Sequence, residues 1–195
     1  MLIGILLVPG LVFLFMKGFG ENKFAIPVFY STTEEFPDNN ACENKAPYSL
    51  PALQYATLQD STATFSTDEW KGTSTLLALL PAGCENCAAE LALIRSKRAI
   101  GKADLRMLKL YLNNSTESQS SGKPIAGSEL AIKFSDELSD VLQCQLLLAG
   151  SDSKEPANQL ILLDKQNRIR GYYNASDREE IDRLIQELQI LFRED

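Results

Sequence analysis

The longest uninterrupted apolar run begins at Met1 and reaches Met16 without an ionised side chain, Lys17 being the first. Extended through Phe19, it approaches the length that crosses a hydrocarbon core of about 30 Å at about 1.5 Å per residue. A removable signal peptide would show a basic stretch ahead of the run and an Ala-x-Ala type cleavage site behind it, and the sequence shows neither. Residues 1–20 are therefore expected to form an uncleaved transmembrane anchor, with a short buried helix of a soluble domain as the alternative. Pro9 is tolerable inside a spanning helix. No cysteine lies near enough to this segment for acylation, so a lipoprotein is not expected.

Residues 21–46 change character, mixing Pro27, Pro37, Asn39 and Asn40 with acidic residues and isolated aromatics, and read as a linker or extended arm. From Pro47 onward, short apolar runs alternate with helically spaced stretches. That alternation predicts an α/β domain over residues 47–195, with a partly parallel central sheet flanked by helices. Leu53–Leu58 and Thr64–Ser66 read as a hairpin around the polar Gln59-Asp60-Ser61 turn. Ser74–Leu80 is nearly all apolar, as a central strand covered on both faces should be. After Pro81-Ala82-Gly83, residues Cys87, Leu91 and Ile94 recur at helical spacing. Arg95, Lys97 and Arg98 bring positive charge to the last turn, and Gly101 ends the helix. Leu105–Leu112 reads as the next strand, completing a β-α-β unit with parallel strands.

The polar stretch Asn113–Gly127 reads as a surface loop. Ile132, Leu138 and Leu142 give Ala131–Leu142 a helical reading, and Gln143–Ala149 reads as a further strand. Leu160–Leu163 and Arg168–Tyr173 predict an antiparallel hairpin around residues 164–167, with Asn167 taking the positive φ that the turn requires. Ser176 followed by Glu179 has the form of a capping box ahead of Ile181, Leu184, Ile185, Leu188, Leu191 and Phe192, an amphipathic closing helix. No internal repeat is visible.

Charge and composition narrow the function classes. With 26 acidic against 19 basic residues the net charge is −7, which repels phosphate backbones, so nucleic acid is not an expected partner. Histidine is absent. Its absence removes imidazole bases, Ser/His and Cys/His pairs and imidazole metal ligands.

The chemistry that remains centres on Cys84-Glu85-Asn86-Cys87. A Cys-x-x-Cys between an apolar strand and a helix places its first thiol at the positive end of the helix, where unpaired N–H groups stabilise a thiolate. Cys84 is then the attacking thiol, and Cys87 stands close enough to resolve the mixed disulfide. The alternative is a static structural disulfide. Glu85 opposes a second negative charge on sulfur, which predicts a reducing pair. Cys42 and Cys144 carry no motif; they can pair with each other and tie the arm to the domain, or each can be a small buried residue. A zinc site would want a second closely spaced pair, which the sequence lacks.

Three features together resemble the SCO/SenC family: the cysteine motif after an apolar strand, the preceding Phe65-Ser66-Thr67-Asp68-Glu69-Trp70-Lys71-Gly72, and the ending Leu162-Leu163-Asp164-Lys165-Gln166-Asn167-Arg168-Ile169-Arg170-Gly171-Tyr172-Tyr173. The resemblance covers roughly Pro47 to Asp195. It implies a thioredoxin-like fold behind a membrane tether, thiol redox chemistry or copper delivery to cytochrome c oxidase, and protein thiol or disulfide substrates that include oxidase subunits. It also implies a single-pass protein of the bacterial inner membrane with its domain on the outer face. Lys17 and Lys23 alone would favour the opposite orientation, but long domains translocate largely regardless of such charges. The family's copper site uses two cysteines separated by three residues plus a histidine. Here two residues intervene, and Lys154-Glu155-Pro156-Ala157-Asn158-Gln159 stands where the histidine would fall. No cofactor is therefore required, although Cys84 and Cys87 as two thiolates suit soft Cu(I). Met107 adds the only domain thioether, and Pro156 is either the proline that such folds place opposite their cysteines or an ordinary loop proline. A binding module that has lost both activities is the third reading.

Overall fold

The computed structural model describes residues 25–36, 42, 44–81, 84, 86–101, 104–112, 129–134, 138–148 and 158–194. Seven strands form one mixed sheet: β1 (Gln54–Thr57), β2 (Thr64–Ser66), β3 (Ser74–Leu80), β4 (Leu105–Tyr111), β5 (Glu129–Phe134), β6 (Gln159–Leu163) and β7 (Ile169–Asn174). Their order is β2-β1-β5-β4-β3-β6-β7. The central β5, β4 and β3 are parallel, whereas β1 and β2 on one side and β6 and β7 on the other run antiparallel to their neighbours.

β3 explains its own composition, because every one of its residues is buried. Successive side chains point to opposite faces of a strand. Leu76, Ala78 and Leu80 enter one core with Leu160, Leu162 and Tyr173, while Leu77 and Leu79 enter the other with Leu108, Leu110 and Ile161. Helices α1 (Ala88–Ile100) and α2 (Arg178–Glu194) cover the first face, through Ala89, Ala92 and Leu93 and through Ile181, Leu184, Leu188 and Leu191. The other face is covered by Tyr48, Leu50, Leu53 and Trp70, and by Val141, Leu146 and Leu147.

The strands 53–58, 64–66, 74–80, 105–112, 160–163 and 168–173 expected from sequence all form, within a residue or two. Asn167 has φ 58° in the β6–β7 turn, and Gly101, φ 71°, ends α1 with its N–H on the Lys97 carbonyl at 3.1 Å. Three expectations change. Leu91 is 51% exposed, since α1 lays the small Ala89 and Ala92 on the sheet instead. Residues 131–134, expected to be helical, belong to β5, which lies between β1 and β4. Residues 143–148, expected to be a strand, instead complete a helical turn, Leu138–Asp140 continued as a π-helical Val141–Gln145, after which Leu146 and Leu147 fill the core.

Packing also begins earlier than Pro47. Ile26 is buried, its N–H donating to Glu194 Oε1 at 2.8 Å and its carbonyl accepting from Arg170 Nη2 at 2.7 Å. The Phe29 N–H donates to the Ile169 carbonyl at 2.9 Å, extending the edge at β7. Tyr30 stacks on Phe36 with ring centroids 5.1 Å apart, and both meet Tyr48 edge-on. Arg170 holds this together: it is almost fully buried and also donates to Asp164, Glu194 and the Pro27 carbonyl. Among the described residues no helix is long and apolar enough to cross a membrane. The apolar stretch 1–20 expected to do so, and the loop 113–127, lie outside them.

Candidate functional site

The cysteine motif sits where β3 hands over to α1. Cys87 is the residue before the helix, extended at φ −69° and ψ 166°, and its carbonyl accepts the Leu91 N–H at 3.0 Å. Asn86 adopts φ 59°, a left-handed turn that asparagine tolerates better than most side chains. That reversal folds the motif on itself. Cys84 and Cys87 are joined by a disulfide, with their Cα atoms 5.4 Å apart. The Cys87 side chain does not cap the start of α1, and the positive end of the helix faces the motif.

Cys84 is the more covered of the two at 9% exposure, lying in the core cluster with Leu80, Leu160, Tyr173 and Ala175, while Cys87 is half-buried against the same cluster. Glu90 in the first turn of α1 accepts from Lys109 Nζ of β4 at 2.9 Å, both side chains being largely buried. This pair neutralises a half-buried carboxylate in the first turn of α1. Glu85 and Pro156 lie outside the described residues.

Across the same end of β3 the chain enters β6 through Asn158. Its φ is 61°, its N–H donates to the Leu79 carbonyl at 3.0 Å, and its carbonyl accepts the Ala175 N–H at 2.8 Å. The backbone is thus clamped between β3 and the residue after β7. The side-chain Oδ1 is shielded from solvent and has no hydrogen-bond partner among the described residues. Asn158 and Gln159 are the described part of the segment Lys154–Gln159, where the resemblance to the SCO/SenC family would place its histidine.

Cys42 and Cys144 also form a disulfide, with Cα atoms 5.4 Å apart, so pairing rather than isolated burial is the outcome for these two thiols. It ties the arm to the π-helical turn on the opposite face of the sheet from α1. Asn44 Nδ2 donates to the Cys144 carbonyl at 2.8 Å and the Tyr48 hydroxyl to the Gln145 carbonyl at 2.6 Å, reinforcing the junction. The two disulfides are therefore separate devices. Among the described residues no three His, Cys, Asp or Glu side chains come together as a metal-binding set, which leaves the Cys84 and Cys87 thiols as the soft donors.

Sequence reading identified both cysteines of the site but not Lys109, Glu90 or Asn158. Lys109 had a visible signal, a charge flanked by Leu108 and Leu110 in the middle of the run 105–112, which in a central strand calls for a partner. Asn158 had a weaker one, an asparagine immediately ahead of an apolar strand.

No protein-family model matches the chain, and no curated protein matches its sequence. Solved structures do match. BsSco, a member of the Sco family of cytochrome c oxidase assembly proteins, superposes with a TM-score of 0.56 at 11% identity, over 73% of this chain and 92% of that one. A SCO1/SenC family lipoprotein from Bacillus anthracis gives a TM-score of 0.56 at 13% identity, over 77% and 99%. A candidate thiol-disulfide oxidoreductase from Bacteroides vulgatus gives 0.50 at 16% identity, over 75% and 92%. At these identities the likeness establishes the thioredoxin-like fold, a mixed sheet flanked by helices, into which the Cys84–Cys87 disulfide is built.

Proposed function

We propose that the chain is a thiol-disulfide oxidoreductase of SCO/SenC type, tethered by residues 1–20 to a bacterial inner membrane with its domain on the outer face. The observation that carries this reading is the Cys84–Cys87 disulfide at the start of α1, after the buried central strand. In the reduced protein the Cys84 thiolate attacks a partner disulfide, forming a mixed disulfide and releasing one partner thiolate. Cys87 then attacks the Cys84 sulfur, releasing the second partner thiol and closing the intramolecular bond. Two electrons pass from the pair to the partner, and the reverse sequence oxidises a partner dithiol. Clients are protein thiols or disulfides, with cytochrome c oxidase subunits proposed on the strength of the fold shared with BsSco. The two thiolates supply a second reading, in which soft Cu(I) is the cargo and the same disulfide, when formed, blocks loading.

The assignment of roles is open to a direct test, because Cys87 is both the more exposed cysteine and the residue next to α1, whereas the sequence assigns the attack to Cys84. Cys87→Ser in the full chain should trap a mixed disulfide with a model disulfide substrate, read by mass as an adduct on Cys84. Cys84→Ser should accumulate none. An adduct only on Cys87 would reverse the roles, and no adduct on either variant would reduce the pair to a structural staple.

A further inference from the structure

We infer that Leu91 is a specificity-determining residue of the Cys84–Cys87 site, receiving an apolar side chain that stands two positions from the reacting cysteine of a client protein. The inference rests on the function proposed above and adds a substrate class to it. Leu91 is the most exposed large apolar side chain among the described residues. A single leucine on a surface calls for no explanation, but this one has a particular place. Its N–H donates to the Cys87 carbonyl at 3.0 Å, so one turn of α1 separates it from the motif. Ala88, three positions before it, is half-buried and lies on the same flank of the helix. Cys87, Ala88 and Leu91 thus form a short apolar strip with sulfur at its head. Packing does not call for a leucine at this position, because α1 meets the sheet through Ala89, Ala92, Leu93 and Ser96. Ion pairs bound the strip: Glu90 with Lys109 of β4 beside it, and Arg95 with Asp182 of α2 one turn further along.

Exchange brings a client to this strip. A reduced pair and a client disulfide yield the Cys84–Cys87 disulfide and two client thiols, two electrons passing to the client. The mixed disulfide in between joins a client cysteine to a pair whose Cα atoms are 5.4 Å apart, so the client backbone runs over the surface beside the motif. An extended chain advances about 6.6 Å in two residues, and a helix about 6 Å in four. Side chains two apart on an extended chain also point the same way. The residue two positions from the client's cysteine therefore falls on Leu91. An apolar side chain there leaves water together with Leu91, whereas a polar one loses hydration without gaining a partner.

The test is the rate at which the reduced full chain in detergent reduces the symmetrical disulfides of two short peptides. The peptides carry one cysteine each and differ only two positions to either side of it, with leucine in one and serine in the other. Oxidation of Cys84–Cys87 is read separately from Cys42–Cys144 by alkylation and peptide mass, and each rate is divided by that of free dithiothreitol with the same peptide. The unsubstituted chain should prefer the leucine peptide about five- to twentyfold, as partial burial of a leucine side chain implies. Leu91→Gln should bring the ratio close to one and Leu91→Met should keep it, both being good helix formers. Because both peptides meet the same thiol, a change in thiol reactivity cancels from the ratio. No preference in the unsubstituted chain, or a preference that survives Leu91→Gln, would overturn the inference. Were Leu91→Gln to convert a dimer of the chain to a monomer, the strip would belong to a second copy, which also overturns it. Failure of the unsubstituted chain to reduce either peptide would sink the proposed function itself, and this inference with it.

Discussion

At Gly171 a Cβ would stand 2.6 Å from Tyr173 Cζ, because the Tyr173 ring lies back along β7 over the bare backbone. Its hydroxyl donates to Glu187 of α2, and Arg183 stacks on the ring at 4.9 Å. The small residue thus creates the space that lets a strand-edge tyrosine link sheet and helix. Gly171→Ala should cost about 1–3 kcal/mol, as overpacking of a filled core does, visible as a lower melting temperature with the redox activity retained. The same tyrosine takes part in a pH response. Burial raises the pKa values of Tyr48, Tyr172 and Tyr173 above the ordinary 10.0, with the Glu187 hydrogen bond adding to the effect at Tyr173. Below pH 10 the phenols are protonated in folded and unfolded chains alike, so the stabilisation they give is fully present. Above it the unfolded chain releases protons that the fold retains, and stability falls with rising pH. Denaturant melts should therefore hold level up to about pH 10 and then decline, and Tyr172→Phe should soften the decline. Single residues of this kind divide sharply in legibility: Asn167 could be assigned its turn from sequence, whereas nothing local marks Gly171 as the floor beneath a ring two residues away.

Helix α2 shows how close an element can come to its sequence signal and still miss its first residue. The Ser176/Glu179 pair has the form of a capping box, but the Glu179 N–H is taken by Asp177 Oδ1 at 2.9 Å and the Ile181 N–H by the Asp177 carbonyl at 3.2 Å. Ser176 instead donates its N–H to Asn174 Oδ1, closing the turn after β7. Asp177→Ala should then cost about 1 kcal/mol and Ser176→Ala much less, a ranking that urea melts of the two variants can read. The apolar face of the helix, by contrast, was readable in full, because five turns of repeated spacing leave little ambiguity. Of residues 131–148, 138–142 are helical as the spacing predicts, and the rest departs from expectation for the opposite reason. Ile132, Leu138 and Leu142 are separated by six and then four positions, and a six-residue gap breaks a helical face. Two short elements, β5 and a π-helical turn, share the stretch, and pairing with β1 and β4 outweighed the local pattern.

At the scale of the whole molecule, the arm and the Cys84–Cys87 disulfide occupy opposite ends of the sheet. The arm docks where β7 begins and α2 ends, through Arg170 and Glu194, while Cys84 and Cys87 follow the far end of β3, to which β7 runs parallel through the intervening antiparallel β6. The Cys42–Cys144 bond fixes the arm independently on the other face, closing a loop across a separation of 102 residues. Such a closure is worth about 4–5 kcal/mol against the unfolded chain. The domain thus has one disulfide that ties the arm and another at the junction of β3 and α1, the one the proposed function uses for exchange. The two hairpins, the β3-α1-β4 unit and the position of the motif were legible because they follow from short-range apolar patterning, whereas the order of the sheet was not, since β5 inserts between β1 and β4. The arm was not, since its anchoring contacts lie 100 to 168 residues away along the chain. The most direct test of the account is the reduction potential of the Cys84–Cys87 pair in the full chain, titrated in thiol buffers and read by alkylation of those two cysteines alone. The account predicts a reversible two-electron equilibrium on the reducing side, nearer about −270 mV than about −120 mV. A pair that stays oxidised throughout the accessible range, exchanging with no thiol, would contradict it.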